Sequence, residues 1–316
     1  VDMTPQIEAL FMFVERTIGS ELVEELAFLA NYDRTKQAIQ EIVDMPDQKI
    51  DLFGEEADIL FPPYGHSSVG LFLFEEAHVS ALSLSAGLRY DARRLVVDQN
   101  DRLLVSAQTR DYSALTGTAG VVWHATAPLS FAFNLGRGWR APIGEELFVH
   151  GFEPGSIRYK VGDPALDAEA ALNVDLVSRY FAPRLRVELT AFHNRINRYI
   201  YLSKTGQIDS ASGLTEYHEK QTNATLFGSE FDAEAGLTDY LVLHVGADMT
   251  VGRNEETGEW LPALPAHRVQ VGLRVTRPAV SVLDNPYFSV TSKIVFDQNR
   301  VEEFEIPTPG YALFGL

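Results

Sequence analysis

The 316-residue chain contains no cysteine, which excludes disulfides, thiolate metal sites and cysteine nucleophiles. Basic residues are also scarce, because 26 Lys and Arg stand against 44 Asp and Glu, for a formal net charge of −18. A nucleic-acid partner requires a basic face, so the charge argues against nucleic acid. It permits a cationic or metal-bearing ligand, although an acidic solvated surface is the commoner cause.

Long hydrophobic runs are missing as well. None approaches the roughly 20 residues that a membrane-spanning helix needs. This does not exclude a membrane protein, because a barrel strand needs only about 10 residues, of which every second one faces lipid. The chain begins at Val1 without the basic and apolar segments of a signal peptide. We therefore expect a fragment of a longer protein, in preference to a trimmed mature form.

The sequence also lacks a recognisable catalytic constellation. Serines are frequent on the predicted strands, but no histidine and aspartate accompany them in the pattern of a catalytic triad. Glycines are spread over strands and turns rather than gathered into a phosphate-binding loop. We expect neither an enzyme nor a bound cofactor, although a transported ligand can itself be a metal or a metal chelate.

Alternation of apolar and polar residues with a period of two is abundant, and it predicts β-strands. In residues 81–90, Leu82, Leu84 and Leu88 fall on one face, and Ser83 and Ser85 fall on the other. Similar alternation fills 128–137, 240–250, 268–276 and 287–296. Strands of soluble β-sandwiches average about five or six residues, whereas these segments are longer and their polar faces suit a water-filled lumen.

The connections between these segments alternate between short and long. Short breaks fall near 78–80, 125–128, 181–184, 236–240 and 277–286, and long polar stretches occupy 91–111, 138–169, 203–222, 252–265 and 297–310. A membrane barrel has tight periplasmic turns and long outer loops, which produces this rhythm. Residues 1–53 are harder to assign: 6–15 and 22–32 read as strands, but 21–30 also shows helical spacing.

Several motifs resemble the barrel of TonB-dependent receptors, the active transporters of the outer membrane. Gly138-Trp139-Arg140-Ala141-Pro142 with Glu146-Leu147-Phe148 is similar to a rim motif of that family. Gly162-Asp163-Pro164, Ala191-Phe192-His193-Asn194 and Phe227-Gly228-Ser229-Glu230 resemble later motifs, with Asp163 in place of the usual Asn. The segments at 54–57, 71–76 and 298–311 resemble a branch of receptors for zinc and haem.

The resemblance implies an all-β, antiparallel transmembrane β-barrel that is incomplete. Receptors of this kind have about 22 strands, and we expect roughly 13 to 15 of them here, with 1–316 forming part of the barrel and the N-terminal plug domain absent. The implied function is TonB-dependent uptake of an iron chelate, haem or zinc across the outer membrane of a Gram-negative bacterium. The implied partners are the TonB complex, reached through the missing plug, outer-membrane lipid and lipopolysaccharide, and a metal-bearing small ligand.

Ligand capture by such a receptor would use its outer loops. Zinc and haem iron favour imidazole and carboxylate groups, and His150 with Glu146, and His218 with Glu216, lie in two of the long stretches. We predict these four residues as a ligand-capture site; ordinary solvated loop residues are the alternative. For the whole chain, the alternatives are a non-transport outer-membrane binding barrel and a soluble β-sandwich binding module.

Overall fold

A computed structural model describes residues 60–152, 158–280 and 283–316. The strands expected within residues 1–53 lie outside the described residues. The regular secondary structure of the described residues is almost all β, as expected, with one helix of five residues. No helix in these segments is long and apolar enough to cross a membrane.

Fifteen strands are present in the described part of the chain. They are β1 (Tyr64–Val79), β2 (Leu82–Val97), β3 (Gln108–His124), β4 (Leu129–Arg140), β5 (His150–Phe152), β6 (Arg158–Val161), β7 (Glu169–Ala182), β8 (Leu185–Ile208), β9 (Thr215–Gly236), β10 (Leu241–Asn254), β11 (Arg268–Thr276), β12 (Ala279–Val280), β13 (Leu283–Asp284), β14 (Tyr287–Val295) and β15 (Tyr311–Gly315). The helix α1 (Gly144–Phe148) lies between β4 and β5.

The long strands form one antiparallel sheet in which sequence neighbours are also spatial neighbours. Its order is β1-β2-β3-β4-β7-β8-β9-β10-β11-β14-β15, while β5 and β6 form a hairpin beside this path and β12 and β13 pair separately. Within the described residues, β1 and β15 each pair on one side only, so the sheet is not closed. The incomplete antiparallel barrel expected from the sequence is confirmed.

Short and long connections alternate along this sheet. The turn at Ser80 and the turn at Pro183 each join two strands directly, whereas loops such as 141–168 and 296–310 are long. The stretch 203–222, predicted as a loop, is mostly strand, because β8 runs to Ile208 and β9 starts at Thr215. Register shifts at Ile196/Tyr199 and Lys204/Ile208 interrupt the alternation there and hide the strands from a period-two search.

The sheet exposes the large apolar side chains of one face and partly buries the polar side chains of the other, which is the reverse of a soluble protein. On one face, which we call the apolar face, large side chains are exposed: Leu84, Leu88, Phe131, Phe133, Leu135, Leu172, Leu176, Leu189, Leu273 and Val290. On the other, the polar face, side chains such as Ser83, Ser85 and Asn134 are partly buried. A β-sandwich would bury its apolar faces against each other, so the sandwich alternative is not supported.

Most of the buried side chains lie at the end of the sheet that carries the long loops. Leu95 and Val97 of β2 pack there with Leu147 of α1, and Leu166 and Ile200 belong to the same cluster. In a membrane barrel the strands need no dry core of their own, because lipid covers their apolar face. The packed core therefore serves to hold the long loops in place, and it fixes the region described next.

Candidate ligand-capture site

The loop between β4 and β7 starts from an ion-pair network around Arg140. The guanidinium of Arg140 donates to Glu146 at 2.7 and 2.9 Å and to Glu169 at two distances of 3.0 Å. Burial lowers the pKa of Arg140, but these bonds outweigh it and raise the pKa above its usual range. Glu146 also accepts from the backbone of Ile143 at 2.9 Å, which caps α1. Pro142 follows the strand end and is fully buried.

Beyond α1, the hairpin of β5 and β6 crosses to a distant strand. β6 pairs with β9 in parallel, so that Arg158, Tyr159, Lys160 and Val161 face Thr215 to His218. Gly162 packs against α1, where an added Cβ would lie 2.8 Å from the carbonyl carbon of Leu147. The hairpin is thus fixed at β9 by main-chain hydrogen bonds and at α1 by close packing.

This pairing places three of the four predicted site residues on one face of a small sheet. His150 is opposite Val161 in β5 and β6, and Val161 is opposite His218 in β6 and β9. Glu216 lies two residues before His218 and so projects to the same side. The Cα atoms of His150 and His218 are therefore two strand spacings apart, about 10 Å.

The polar atoms on this face are oriented by near neighbours. The Nε2 atom of His218 lies 3.2 Å from Oε2 of Glu216, and the ring of His150 stands edge-on to Tyr159 with centroids 5.6 Å apart. Burial raises the pKa of Tyr159, and the charges of Asp209 and Glu216 raise it further. His150 is exposed and its imidazole is accessible from solvent.

The opposite side of the same small sheet carries a different charge cluster. The Nζ atom of Lys160 donates to Glu145 at 3.2 Å. Burial raises the pKa of Glu219 to about 7, and the nearby charge of Glu146 adds to the effect. The fourth predicted residue, Glu146, belongs to this side, where it binds Arg140. The structure therefore does not bring Glu146 together with the two histidines.

A second buried network joins the loop 296–310 to the same region. The hydroxyl of Ser203 donates to Glu302 at 2.6 Å, and Lys220 donates to the oxygen of Ser203 at 3.0 Å. Burial raises the pKa of Glu302, against the opposing effect of the bond from Ser203. The loops at this end are thus held together by specific bonds as well as by apolar packing.

Sequence reasoning missed two groups that lie near the histidines. Tyr159 was not singled out because it falls on a four-residue strand that gives no periodic signal. Asp209 lies at the tip between β8 and β9, where bonds from the hydroxyl and backbone of Ser212 lower its pKa and His150 adds a smaller effect. Within the described ranges, no set of three or more His, Asp or Glu side chains is grouped to hold a metal ion.

The fold, an unclosed sheet of long antiparallel strands with one exposed apolar face, is that of part of a β-barrel. The sequence profile of the family described as "TonB dependent receptor-like, beta-barrel" matches residues 10–316. The chain therefore belongs to that family, as the motifs predicted. Members of the family are transport receptors of the Gram-negative outer membrane, for haem, iron chelates and copper.

Curated relatives include the Heme/hemopexin utilization protein C of Haemophilus influenzae. The protein of strain 86-028NP is 25% identical over 286 residues, which cover 83% of this chain and 38% of the relative. The protein of strain ATCC 51907 is 25% identical over 295 residues, with coverage of 83% and 39%. The chain thus spans less than half the length of the curated relatives it matches.

Solved structures show the same fold. The "Copper transporter OprC" superposes with a TM-score of 0.68 at 17% identity, over 79% of this chain and 39% of that one. The FrpB iron transporter from Neisseria meningitidis (F3-3 variant) gives a TM-score of 0.56 at 17% identity, over 79% and 38%. The ferric citrate transporter FecA gives 0.59 at 14%, over 79% and 37%.

Proposed function

We propose that this chain is the ligand-capturing part of an outer-membrane receptor that takes up haem or another iron chelate. The observation that carries the proposal is the shared face of His150, Glu216 and His218 at the long-loop end of the sheet. The long loops of a receptor barrel face the outside of the cell, so this face would meet ligands arriving from the medium. The captured ligand would then pass along the polar face of the sheet, which lines the barrel lumen.

Haem is the first ligand to test because two imidazoles project from the same face. Haem iron accepts histidine as an axial ligand, and the Tyr159 ring beside His150 offers an aromatic surface for a flat macrocycle. The named curated relatives are haem and hemopexin utilization proteins, which supports this choice. Zinc, predicted from the sequence, would bind the same imidazoles and remains a second ligand for the assay.

TonB dependence belongs to the same proposal. The family couples uptake to the inner-membrane TonB complex, and in this protein the coupling would require a plug segment that contacts TonB. We expect uptake by cells that carry the whole receptor to stop when TonB is deleted. Uptake that continues at the same rate without TonB would contradict this part of the proposal and leave ligand capture to be tested separately.

The test of ligand capture is a titration of the purified full-length receptor with haem, followed by absorbance. The His150→Ala and His218→Ala variants are each expected to bind haem at least tenfold more weakly, which corresponds to about 1.4 kcal/mol. His124→Ala is the matched control, because His124 ends β3 at the short-turn side of the sheet. Unchanged affinity in both site variants, for haem and for zinc, would refute the site.

A further inference from the structure

The small sheet of β5, β6 and β9 has one face that carries His150, Glu216 and His218, and we call it the capture face. Residues paired across a sheet project to the same side, and so do residues two apart in one strand. Lys220 of β9, two residues beyond His218, therefore lies on the capture face, as does Ser203 of β8, the register partner of His218. The capture face thus extends past the residues that suit a metal ion.

Three successive rungs across the capture face differ in chemical character. In order, they consist of Phe152-Tyr159-Glu216, His150-Val161-His218-Ser203 and Lys220-Tyr201. The first rung is aromatic over β5 and β6, the second holds the two imidazoles, and the third holds an ammonium group. Neighbouring rungs are about 7 Å apart. The face therefore offers an aromatic surface, a row of metal-ligating groups and a cation in that order.

Lys220 carries the only permanent positive charge among the strand residues described on this face. Its Nζ atom donates to the hydroxyl oxygen of Ser203 at 3.0 Å, and that hydroxyl donates to Glu302 at 2.6 Å. In the described part of the chain, no carboxylate oxygen lies within ion-pairing distance of this Nζ atom. An ammonium group has three donors, and Lys220 is exposed. Two of its donors therefore remain for an acceptor that arrives from solvent.

The aromatic end of the capture face is accessible as well. Phe152 is 43% exposed, and its register partner Tyr159 lies edge-on to the ring of His150. The charged member of this rung is Glu216. A ligand carboxylate at this end would meet a carboxylate of the protein, whereas at the opposite end it would meet Lys220. The charges therefore favour one orientation of a ligand that has an acidic edge and an apolar edge.

We infer that Lys220 determines ligand specificity by binding a carboxylate of the metal chelate, which orients the chelate on the capture face. The ligand class is an amphipathic chelate with carboxylates at one edge and an apolar body at the other, and haem belongs to this class. Its carboxylates bind Lys220 through charge-assisted hydrogen bonds, and its apolar edge lies toward Phe152. The net charge of −18 repels such an anion elsewhere on the chain. This inference rests on the proposed uptake of haem.

The experiment compares haem with haem dimethyl ester, in which both carboxylates are blocked. Each is titrated into the detergent-solubilised full-length receptor and followed by absorbance. Lys220→Met is expected to weaken haem binding about tenfold and to leave the affinity for the ester and the spectrum of the bound iron unchanged. Lys220→Arg keeps the positive charge, so we expect it to bind haem more tightly than Lys220→Met does.

Lys204→Met is the matched control. Lys204 follows Ser203 on β8 and pairs with Tyr217 of β9, so its side chain projects to the opposite face of the sheet. The variant removes the same charge and is expected to bind haem and the ester as the parent does. Zinc provides a further comparison, because a bare cation gains no attraction from Lys220. Lys220→Met should therefore bind zinc at least as tightly as the parent.

Four outcomes overturn the inference. They are unchanged haem affinity in Lys220→Met, an equal loss of haem, ester and zinc in that variant, an equal loss of haem in Lys204→Met, and a loss in Lys220→Arg as large as in Lys220→Met. Each of them leaves the proposed function standing if the parent binds haem. Failure of the parent to bind haem rejects the proposed function, and this inference with it.

Discussion

The hydroxyl of Ser203 donates a 2.6 Å hydrogen bond to Glu302, although the two residues are 99 positions apart in the chain. Ser203 lies on β8 and Glu302 lies in the loop before β15, and both are buried. A buried carboxylate is costly unless it is hydrogen-bonded. The bond therefore joins the last long loop of the described chain to the strands that carry the proposed capture site.

Replacing Ser203 by alanine should loosen the loop 296–310. The variant removes a donor from a buried carboxylate, and we expect a local loss of about 1–3 kcal/mol. Faster hydrogen exchange in peptides from this loop would measure the effect. Ser106→Ala, at an exposed position in the loop between β2 and β3, provides the control, and equal protection in both variants would contradict the prediction.

The Arg140 network should be more sensitive than any other ion pair on the loop between β4 and β7. Arg140→Met leaves Glu146 and Glu169, both mostly buried, without their cation. We expect a local destabilisation of about 2–4 kcal/mol, because breaking a buried ion pair leaves a desolvated charge without a partner. Exchange rates of the α1 amides are the measurement. The control is Arg102→Met, in a different loop.

If Arg140→Met protects α1 as well as the parent does, the network is not what holds the loop. The triple variant Arg140→Met/Glu146→Gln/Glu169→Gln gives a second check. It removes the unpaired charges and should recover part of the loss. No recovery would show that the geometry of the bonds matters more than the burial of charge.

The β5–β6 hairpin should become less stable as pH rises through the range below neutrality. Burial raises the pKa of Glu219 to about 7 from an ordinary value of 4.5. Below pH 4.5 the carboxyl is protonated in both the docked and the released hairpin, so its contribution is neutral. Between about 4.5 and 7 only the released form ionises, so stability falls, and it levels off above 7.

Glu219→Gln should abolish most of this dependence. We expect the variant to protect the amides of Arg158–Val161 better than the parent at pH 8, by about 1–2 kcal/mol after allowance for partial solvation. Near pH 4 the two proteins should be equal. Hydrogen-exchange rates corrected for intrinsic pH effects provide the measurement. If the protection of these amides in the parent increases with pH, the prediction is wrong.

The orientation of the two faces can be tested by a pair of adjacent substitutions. Phe133→Arg places a charge on the apolar face, where we expect a loss of about 2–4 kcal/mol in folding into a bilayer. Asn134→Arg places the same charge on the polar face and should be tolerated. Urea titration of the full-length receptor folded into vesicles would compare them. A larger loss for Asn134→Arg would show that the faces are assigned in reverse.

Much of the fold follows from alternation that is local in sequence. Every second residue is apolar in β2 as far as Ala92 and in β4 as far as Leu135, so Leu84 and Phe133 could be assigned to the lipid side from the sequence alone. The outer parts of β8 and β9 could not be, because the bulge near Tyr199 shifts the parity of the side chains. A period-two search fails wherever one strand gains residues relative to its partner.

The proposed site was predictable in its residue types and not in its geometry. His150 and His218 were selected because imidazoles in outer loops suit metal-bearing ligands. Their common face depends on the parallel pairing of β6 with β9, a contact between four-residue segments far apart in the chain. No local pattern encodes such a pairing. The same limit applies to Arg140 and Glu169, which are brought together by the register of β4 and β7.

The parallel pairing of β6 with β9 also determines how the proposed site can vary. Peptide groups, rather than side chains, fix the gap between the imidazoles of His150 and His218, since Val161 occupies the rung between them. Replacing Val161 by another strand-forming residue would change the surface that a bound ligand contacts between the two histidines. It would not change the distance between the histidines. A substitution at position 161 could therefore change ligand selectivity while the distance between His150 and His218 stays the same.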